Sequence, residues 1–379
     1  MTHFRTLLQL AVGLLLGQWG YYQLQQHSAL LFKGGPWSGA QVIAVALLLP
    51  VGWLLAVLVH ELGHVLAGRA NVFAFHWLTV GPVKWQMVKG RLRVGWNTTG
   101  GPTGGRTFCV PAGAHDLRRR YLAYSAGGPL ASALFAVAAM GTGALLPATL
   151  AGVGQVLGGI LVLSGAMSVA LFISALLPHA RQGGVYSDGS RMWNLLRNSA
   201  GGQMELAVLA AMAASLAGTR PRAWDRRLLD AAAALPQEMH FKLFVFHYLY
   251  LIALDHGHIA EADRYLRAYR ERLSMMPTAF HGSVWLESAF FAAAYQHDGP
   301  AAEAFLDRAG TSPYTAADLP ARVDAALARL VGEADLARSS AQLSLQLLPK
   351  SLDPGSACFY AEWLNDTVHW AEQQQAVAP

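Results

Sequence analysis

Long apolar runs fill the first half of the chain, and shorter amphipathic stretches fill the second half. The runs cover residues 4–24, 40–65, 121–150 and 153–177. Each run is long enough to cross about 30 Å of hydrocarbon as a helix that rises about 1.5 Å per residue. The pattern therefore predicts a mainly α-helical, polytopic membrane protein with about four transmembrane helices. Gln9 and Gln18 interrupt the first run, for which a cleaved signal peptide is the alternative interpretation.

A two-residue periodicity appears between the second and third runs. Residues 83–88 and 91–96 alternate apolar with polar side chains on either side of Lys89 and Gly90. This pattern predicts a small β-hairpin directly after the second helix, followed by a glycine-rich loop at 100–105. An exposed strand edge there could pair with an extended peptide, and a purely structural hairpin on the membrane surface is the alternative.

Residues 201–379 differ in character, because acidic and basic side chains mix with amphipathic helical patterns. Three similar passages have a helical pattern, a glycine and a second helical pattern, with glycines at 257, 299 and 332. The repetition predicts a soluble α-helical repeat domain of tetratricopeptide type, which would bind a peptide or a partner protein. An irregular helical bundle is the alternative. We place the domain boundary at 200, with a transmembrane domain at 1–200 and the repeat domain at 201–379.

Charge distribution gives an orientation to this arrangement. Residues 1–200 contain 14 basic and 3 acidic side chains, out of 28 and 23 in the whole chain. Nine of the basic residues lie between positions 69 and 120, so the positive-inside rule places that loop in the cytoplasm. With four spans, both termini and the C-terminal domain are then cytoplasmic. We expect a multi-pass protein of the bacterial inner membrane, in contact with the lipid bilayer.

Composition narrows the classes of partner. The chain is 54% apolar and 13% charged, well below the quarter that is usual for soluble proteins. The basic excess lies in the membrane half, and no basic helix face with interleaved aromatic residues points to nucleic acid. The only two cysteines, Cys109 and Cys358, are far apart, which excludes a disulfide framework and fits a reducing compartment.

Candidate chemistry lies at the end of the second apolar run, in the segment His60-Glu61-Leu62-Gly63-His64. Residues four apart share a helix face, so the two imidazoles can bind one metal ion while Glu61 acts on a water molecule. Glu61 is the only acidic residue in the first 115 positions. An ionisable residue in an apolar span is costly, which favours a functional role. The alternative is a helix end with two histidines and a surface glutamate.

A catalytic zinc site usually has three protein ligands and an open position for water. The candidates for the third ligand are His76, His115, Asp116, His179 and Asp188. We favour Asp188, since it follows the fourth run on the side where the histidines emerge and precedes a glycine. The alternative is that Asp188 only caps the helix predicted at 190–196.

These motifs resemble the site-2 protease family of intramembrane zinc metalloproteases. The resemblance covers roughly residues 40–200, and it rests on three segments: the His60–His64 motif, Ala126-Gly127-Gly128-Pro129-Leu130-Ala131-Ser132, and Leu176-Leu177-Pro178 with Ser187-Asp188-Gly189. It implies that His60, His64 and Asp188 bind Zn2+ and that Glu61 is the general base. Peptide bonds of membrane-anchored proteins or peptides would then be hydrolysed.

Some positions depart from the family pattern. Ser132 and Ser174-Ala175 stand where the family often has asparagine, and the gap from Pro178 to Asp188 is longer than in typical members. These departures motivate an alternative function: a membrane adaptor whose catalytic core has decayed and whose helical repeats bind partner proteins.

Overall fold

The computed structural model describes residues 38–88, 90–98, 103–146, 151–177, 186–276, 278–310, 315–350 and 353–377. The first predicted span, at 4–24, lies outside the described residues. The chain divides into two compact units. Unit 1 comprises Met1–Ala70, Phe75–Cys109 and Ala123–Leu177, and unit 2 comprises Asn71–Ala74, Val110–Leu122 and Pro178–Pro379.

Three long apolar helices dominate unit 1. They are α1 (Gly39–Ala70), α2 (Leu117–Leu145) and α3 (Ala151–Leu176). Each is long and apolar enough to cross a membrane, α3 from Val153 onward, and they coincide with the second, third and fourth predicted spans. Large apolar side chains on all three point outward; examples are Leu47, Leu66, Leu134, Val137 and Leu157. Such surface suits contact with lipid rather than with water.

Glycines bring these helices into direct contact. A Cβ atom on Gly63 of α1 would collide with the Gly127 carbonyl oxygen and with Ala131 Cβ, and a Cβ on Gly127 of α2 would collide with Gly63 and Ala67. The backbones of α1 and α2 therefore touch at this crossing. Because lipid supplies no hydrophobic force between helices, close backbone packing of small residues is a main source of their association.

A four-stranded antiparallel sheet follows α1 in the chain. Its strands are β1 (Phe73–Val80), β2 (Val83–Val88), β3 (Arg91–Trp96) and β4 (Gly105–Pro111), in the order β3-β2-β1-β4. The predicted hairpin is confirmed as β2 and β3, with Val88 opposite Arg91. The strands β1 and β4 were not predicted. Leu78 and Val80 of β1 pack on Val57 of α1 and form a small apolar core.

Unit 2 is helical after residue 186. Its α-helices are α4 (Asp188–Leu196), α5 (Ala200–Leu216), α6 (Arg227–Ala234), α7 (His240–Asp255), α8 (Ile259–Arg270), α9 (His281–Phe291), α10 (Gly299–Ala309), α11 (Leu319–Val331), α12 (Ala334–Leu347) and α13 (Pro354–Val377). One turn of π-helix, Ala292–Gln296, extends α9. The apolar stretch near Met204 is a helix of 17 residues, α5, which is short for a membrane span.

Successive helices pair where the repeated passages were predicted. The pairs are α7 with α8, α9 with α10, and α11 with α12. Gly257 and Gly332 end the first helix of their pairs with positive φ angles of 74° and 84°, which glycine adopts without steric cost. In the middle pair His297 takes this role with φ 55°, and Gly299 instead begins α10.

A buried polar network lies in the core of the paired helices. Glu287 on α9 accepts hydrogen bonds from the hydroxyls of Tyr250 and Tyr360, at 2.7 and 2.8 Å, and pairs with Arg322 at 3.2 Å. The Arg322 guanidinium also stacks on the Tyr360 ring. A buried carboxylate needs such partners, so this network links α7, α9, α11 and α13.

We expect Gly63→Ala to destabilise the protein by about 1–3 kcal/mol, because the added methyl group overpacks the crossing of α1 and α2. Thermal unfolding in detergent measures the effect. Gly39→Ala is the matched control, since a Cβ there meets no atom within 4 Å. Equal unfolding temperatures for the two variants would contradict a direct backbone contact at Gly63.

The two cysteines should differ in reactivity. Burial raises the pKa of the Cys109 thiol on β4 to about 12, although the positive charge of Arg69 acts in the opposite direction. The thiolate is the nucleophile, so Cys109 stays unreactive at pH 8 while the exposed Cys358 is alkylated by iodoacetamide. Mass spectrometry of the labelled native protein distinguishes the two sites, with the denatured protein as control. Rapid labelling of Cys109 in the native state would show that β4 is not packed as described.

Candidate metal centre

The two histidines of the sequence motif lie on one face of α1. Their ring centroids are 5.0 Å apart, and both side chains are buried. Four residues separate them, so one turn of helix stacks the imidazoles. The predicted pair of metal-binding imidazoles is therefore brought together.

A hydrogen-bond partner holds the Nδ1 atom of each ring. Nδ1 of His64 lies 3.0 Å from the carbonyl oxygen of Tyr124, which can only accept, so Nδ1 carries the proton and the lone pair is on Nε2. Nδ1 of His60 lies 2.9 Å from the Ser132 hydroxyl, which can accept from the same tautomer. A second residue that holds the far nitrogen is the usual support for a metal-binding histidine.

Because Gly128 on α2 has no side chain, the space next to both Nε2 atoms stays open. A Cβ atom on this residue would lie 2.8 Å from Nε2 of His60 and would collide with Nε2 of His64. Any other residue would thus fill the space next to both Nε2 atoms. The adjacent Gly127 allows the helices to touch, so the two glycines have separate roles.

Glu61 is held by the sheet. The hydroxyl of Thr107 on β4 donates to Oε2 of Glu61 at 2.7 Å, and the glutamate is buried. A Cβ on Gly105 would lie 2.7 Å from Oε1, so the glycine lets β4 pass directly over the carboxylate. The arrangement orients Glu61 through one oxygen.

Asp188 is the first residue of α4 and does not cap it. The helix cap is Ser187, whose hydroxyl accepts from the backbone N–H of Ser190 at 3.1 Å. The alternative reading of Asp188 as an N-cap is therefore wrong, because the neighbouring serine performs that function. One ligand atom from each of His60, His64 and Asp188 lies within 4.8 Å of the others.

The other candidate ligands do not join this group. His76, half-buried on β1, contacts the Phe108 ring, and burial lowers the pKa of its imidazole. His115 and Asp116 are exposed. His179 lies outside the described residues. Among the residues that the structure describes, His60, His64 and Asp188 are the group of three close enough together that they could hold one metal ion.

The donor set fits a zinc ion. Two neutral imidazoles and one carboxylate form a common set of protein ligands at catalytic zinc, which leaves a fourth position for water or substrate. The cleared space beside Gly128 is the observation that supports this fit.

Four supporting groups escaped the sequence reasoning: Ser132, the Tyr124 carbonyl, Thr107 and Gly105. Ser132 departs from the family pattern, but its hydroxyl contacts His60. Ser174, the other departure, donates to the carbonyl of Leu171 on its own helix. In the sequence, Thr107 is distinguished only as a hydroxyl residue shortly after the glycine-rich loop at 100–105.

Comparison with models of known protein families, with curated proteins and with solved structures finds no match to this chain.

Proposed function

We propose that this protein is a membrane-embedded zinc metalloendopeptidase that cleaves membrane-anchored proteins or peptides. The observation that carries the proposal is the orientation of two histidines on an apolar helix. Both present Nε2 to one cleared space, near a buried glutamate and within reach of an aspartate. A zinc ion held by His60, His64 and Asp188 supplies Lewis acidity, which polarises a peptide carbonyl and makes a water molecule more acidic.

Glu61 moves the proton in this reaction. Thr107 holds Oε2, so Oε1 is the oxygen available to accept a proton from the attacking water. The same carboxyl group then gives that proton to the nitrogen of the leaving amine, which completes cleavage of the C–N bond. His64 and His60 keep their orientation throughout, since the Tyr124 carbonyl and the Ser132 hydroxyl hold their Nδ1 atoms.

The substrate is held in extended form beside β4. The sheet has two edges, β3 and β4. The sequence pattern predicts the pairing edge on the hairpin, but β4 is the edge that contacts Glu61. Main-chain pairing with β4 would expose a peptide bond that a helical substrate would shield.

The hairpin itself suits the alternative role at the membrane surface. Leu92, Val94 and Trp96 of β3 are strongly exposed, and they alternate with Arg91 and Arg93. An apolar row flanked by arginines matches the boundary between hydrocarbon and headgroups.

The membrane topology that we propose has four spans, with the loop between α1 and α2 in the cytoplasm. The three apolar helices and the cluster of basic residues at 69–120 support it. Both termini are then cytoplasmic, and the paired helices of unit 2 form a soluble repeat domain that binds a partner protein. The contrasting proposal, a decayed adaptor, loses part of its motivation because Ser132 contacts His60.

Metal content tests the ligand set. We expect about one zinc per chain in protein purified in detergent, lost in Asp188→Ala because two imidazoles alone bind weakly. Inductively coupled plasma mass spectrometry measures it. Asp116→Asn is the control, since asparagine tolerates the φ of 49° at that exposed position. Absence of zinc in metal-replete wild type would sink the proposal, and zinc retained by Asp188→Ala would move the third ligand.

Activity tests the role of Glu61. We expect Glu61→Gln to keep its zinc and to lose about 10²–10⁴-fold in cleavage rate, because the amide cannot accept the proton. The assay follows a panel of single-span reporter proteins in detergent by product mass. An adaptor would behave alike in wild type and in Glu61→Gln, and undiminished turnover in the variant would refute the mechanism.

A further inference from the structure

An ion pair between Arg191 and the buried Glu205 lies next to Asp188 within unit 2. Nη1 of Arg191, one turn along α4, is 3.7 Å from Oδ1 of Asp188. Nε of the same guanidinium donates to Oε1 of Glu205 on α5 at 2.8 Å. The arginine thus connects the aspartate to a carboxylate on the next helix.

Glu205 is one of the most deeply buried charged residues in the described part of the chain. Its side chain is 2% exposed, compared with 17% for Arg191 and 14% for Asp188. Oε1 also accepts from the Tyr121 hydroxyl at 2.6 Å, while Oε2 is buried without a hydrogen-bond partner among the described residues. A buried carboxylate is costly unless it is paired. Glu205 is therefore held firmly to Arg191 and Tyr121.

We infer that Glu205, acting through Arg191, is a positioning residue for Asp188 as a metal ligand. This inference rests on the proposed function, in which Asp188 binds zinc. Arg191 contacts both Asp188 and Glu205, and its hydrogen bond to Glu205 fixes the position of the guanidinium. The guanidinium therefore lies on one side of Asp188, with Nη1 3.7 Å from Oδ1 and no direct hydrogen bond at that distance. It orients the carboxylate without forming a bidentate ion pair with it, which would occupy both oxygens.

The positive charge of Arg191 is a second reason why Glu205 is needed next to it. Arg191 without an acidic partner would be a full positive charge beside the metal site, where it would compete with zinc for Asp188. Glu205 takes up much of that charge. The same groups also join α4 to α5, so a purely structural role is the alternative that an experiment has to separate.

The test is the zinc affinity of full-length Glu205→Gln in detergent, measured by competition with a chromophoric chelator. Glutamine keeps the shape and one acceptor but loses the charge, so Arg191 turns to Asp188. We expect zinc to bind about 10- to 100-fold more weakly, the usual effect of losing a residue that supports a metal ligand. The absorption spectrum of bound Co2+ should change as well, because it reports the ligation by Asp188.

Glu287→Gln is the matched control. Glu287 is also a buried carboxylate that accepts from tyrosine hydroxyls and pairs with an arginine, but its partners are Tyr250, Tyr360 and Arg322. Both variants should lower the thermal stability of the metal-free protein, and only Glu205→Gln should weaken zinc binding. Equal zinc affinity in the two variants would overturn the inference.

A double variant separates positioning from stability. If Glu205 acts through Arg191, then Glu205→Gln added to Arg191→Gln should change zinc affinity by less than about 3-fold, since the shared path is already removed. The same loss in both backgrounds would overturn the inference.

The inference and the proposed function can fail separately. Wild type that binds no zinc would remove both. Zinc that is bound by wild type, lost in Asp188→Ala and unchanged in Glu205→Gln would leave the metal site and remove only the positioning role.

Discussion

The contact between Gly63 and Gly127 is the constraint on which the candidate centre depends. Because neither residue has a side chain, the backbones of α1 and α2 meet one turn from His60 and beside His64. This proximity lets Ser132 and the Tyr124 carbonyl reach the far nitrogens of the histidines. A wider crossing would leave both rings without support and would open the site to lipid. The close contact between α1 and α2 therefore determines how the two histidines are held.

Each polar group of the centre is held by a neighbouring group, which belongs to another element in the case of His60 and Glu61. Ser132 on α2 holds His60, Thr107 on β4 holds Glu61, and Arg191 lies against Asp188. In an apolar setting an unsupported polar side chain costs several kcal/mol, so these contacts stabilise the fold as well as the orientation. Metal sites need this second layer, because small misorientations of a ligand lower the affinity.

Buried carboxylates serve two purposes in unit 2. Glu205 and Glu287 have the same kinds of partner, tyrosine hydroxyls and an arginine. Glu287 connects four helices of the core, and its partner Arg322 lies over the rings of Phe290 and Tyr360, which is the usual structural use. Glu205 shares its arginine with Asp188, so the same chemistry is joined there to a candidate ligand. The two carboxylates differ in what their arginine contacts besides them. Arg191 also lies against Asp188, whereas Arg322 lies over aromatic rings.

The sequence by itself determined the apolar helices, the hairpin at 83–96 and the pairing of His60 with His64, because periodicity and a four-residue spacing are local properties. It also placed the three paired passages of the C-terminal half. It did not determine β1 and β4, whose pairing spans distant segments, or the cap at Ser187. The support from Ser132, Thr107 and Glu205 was decided only by tertiary structure. The contacts that provide this support join residues 14 to 84 positions apart, such as Arg191 with Glu205 and Tyr121 with Glu205, and no local pattern encodes them.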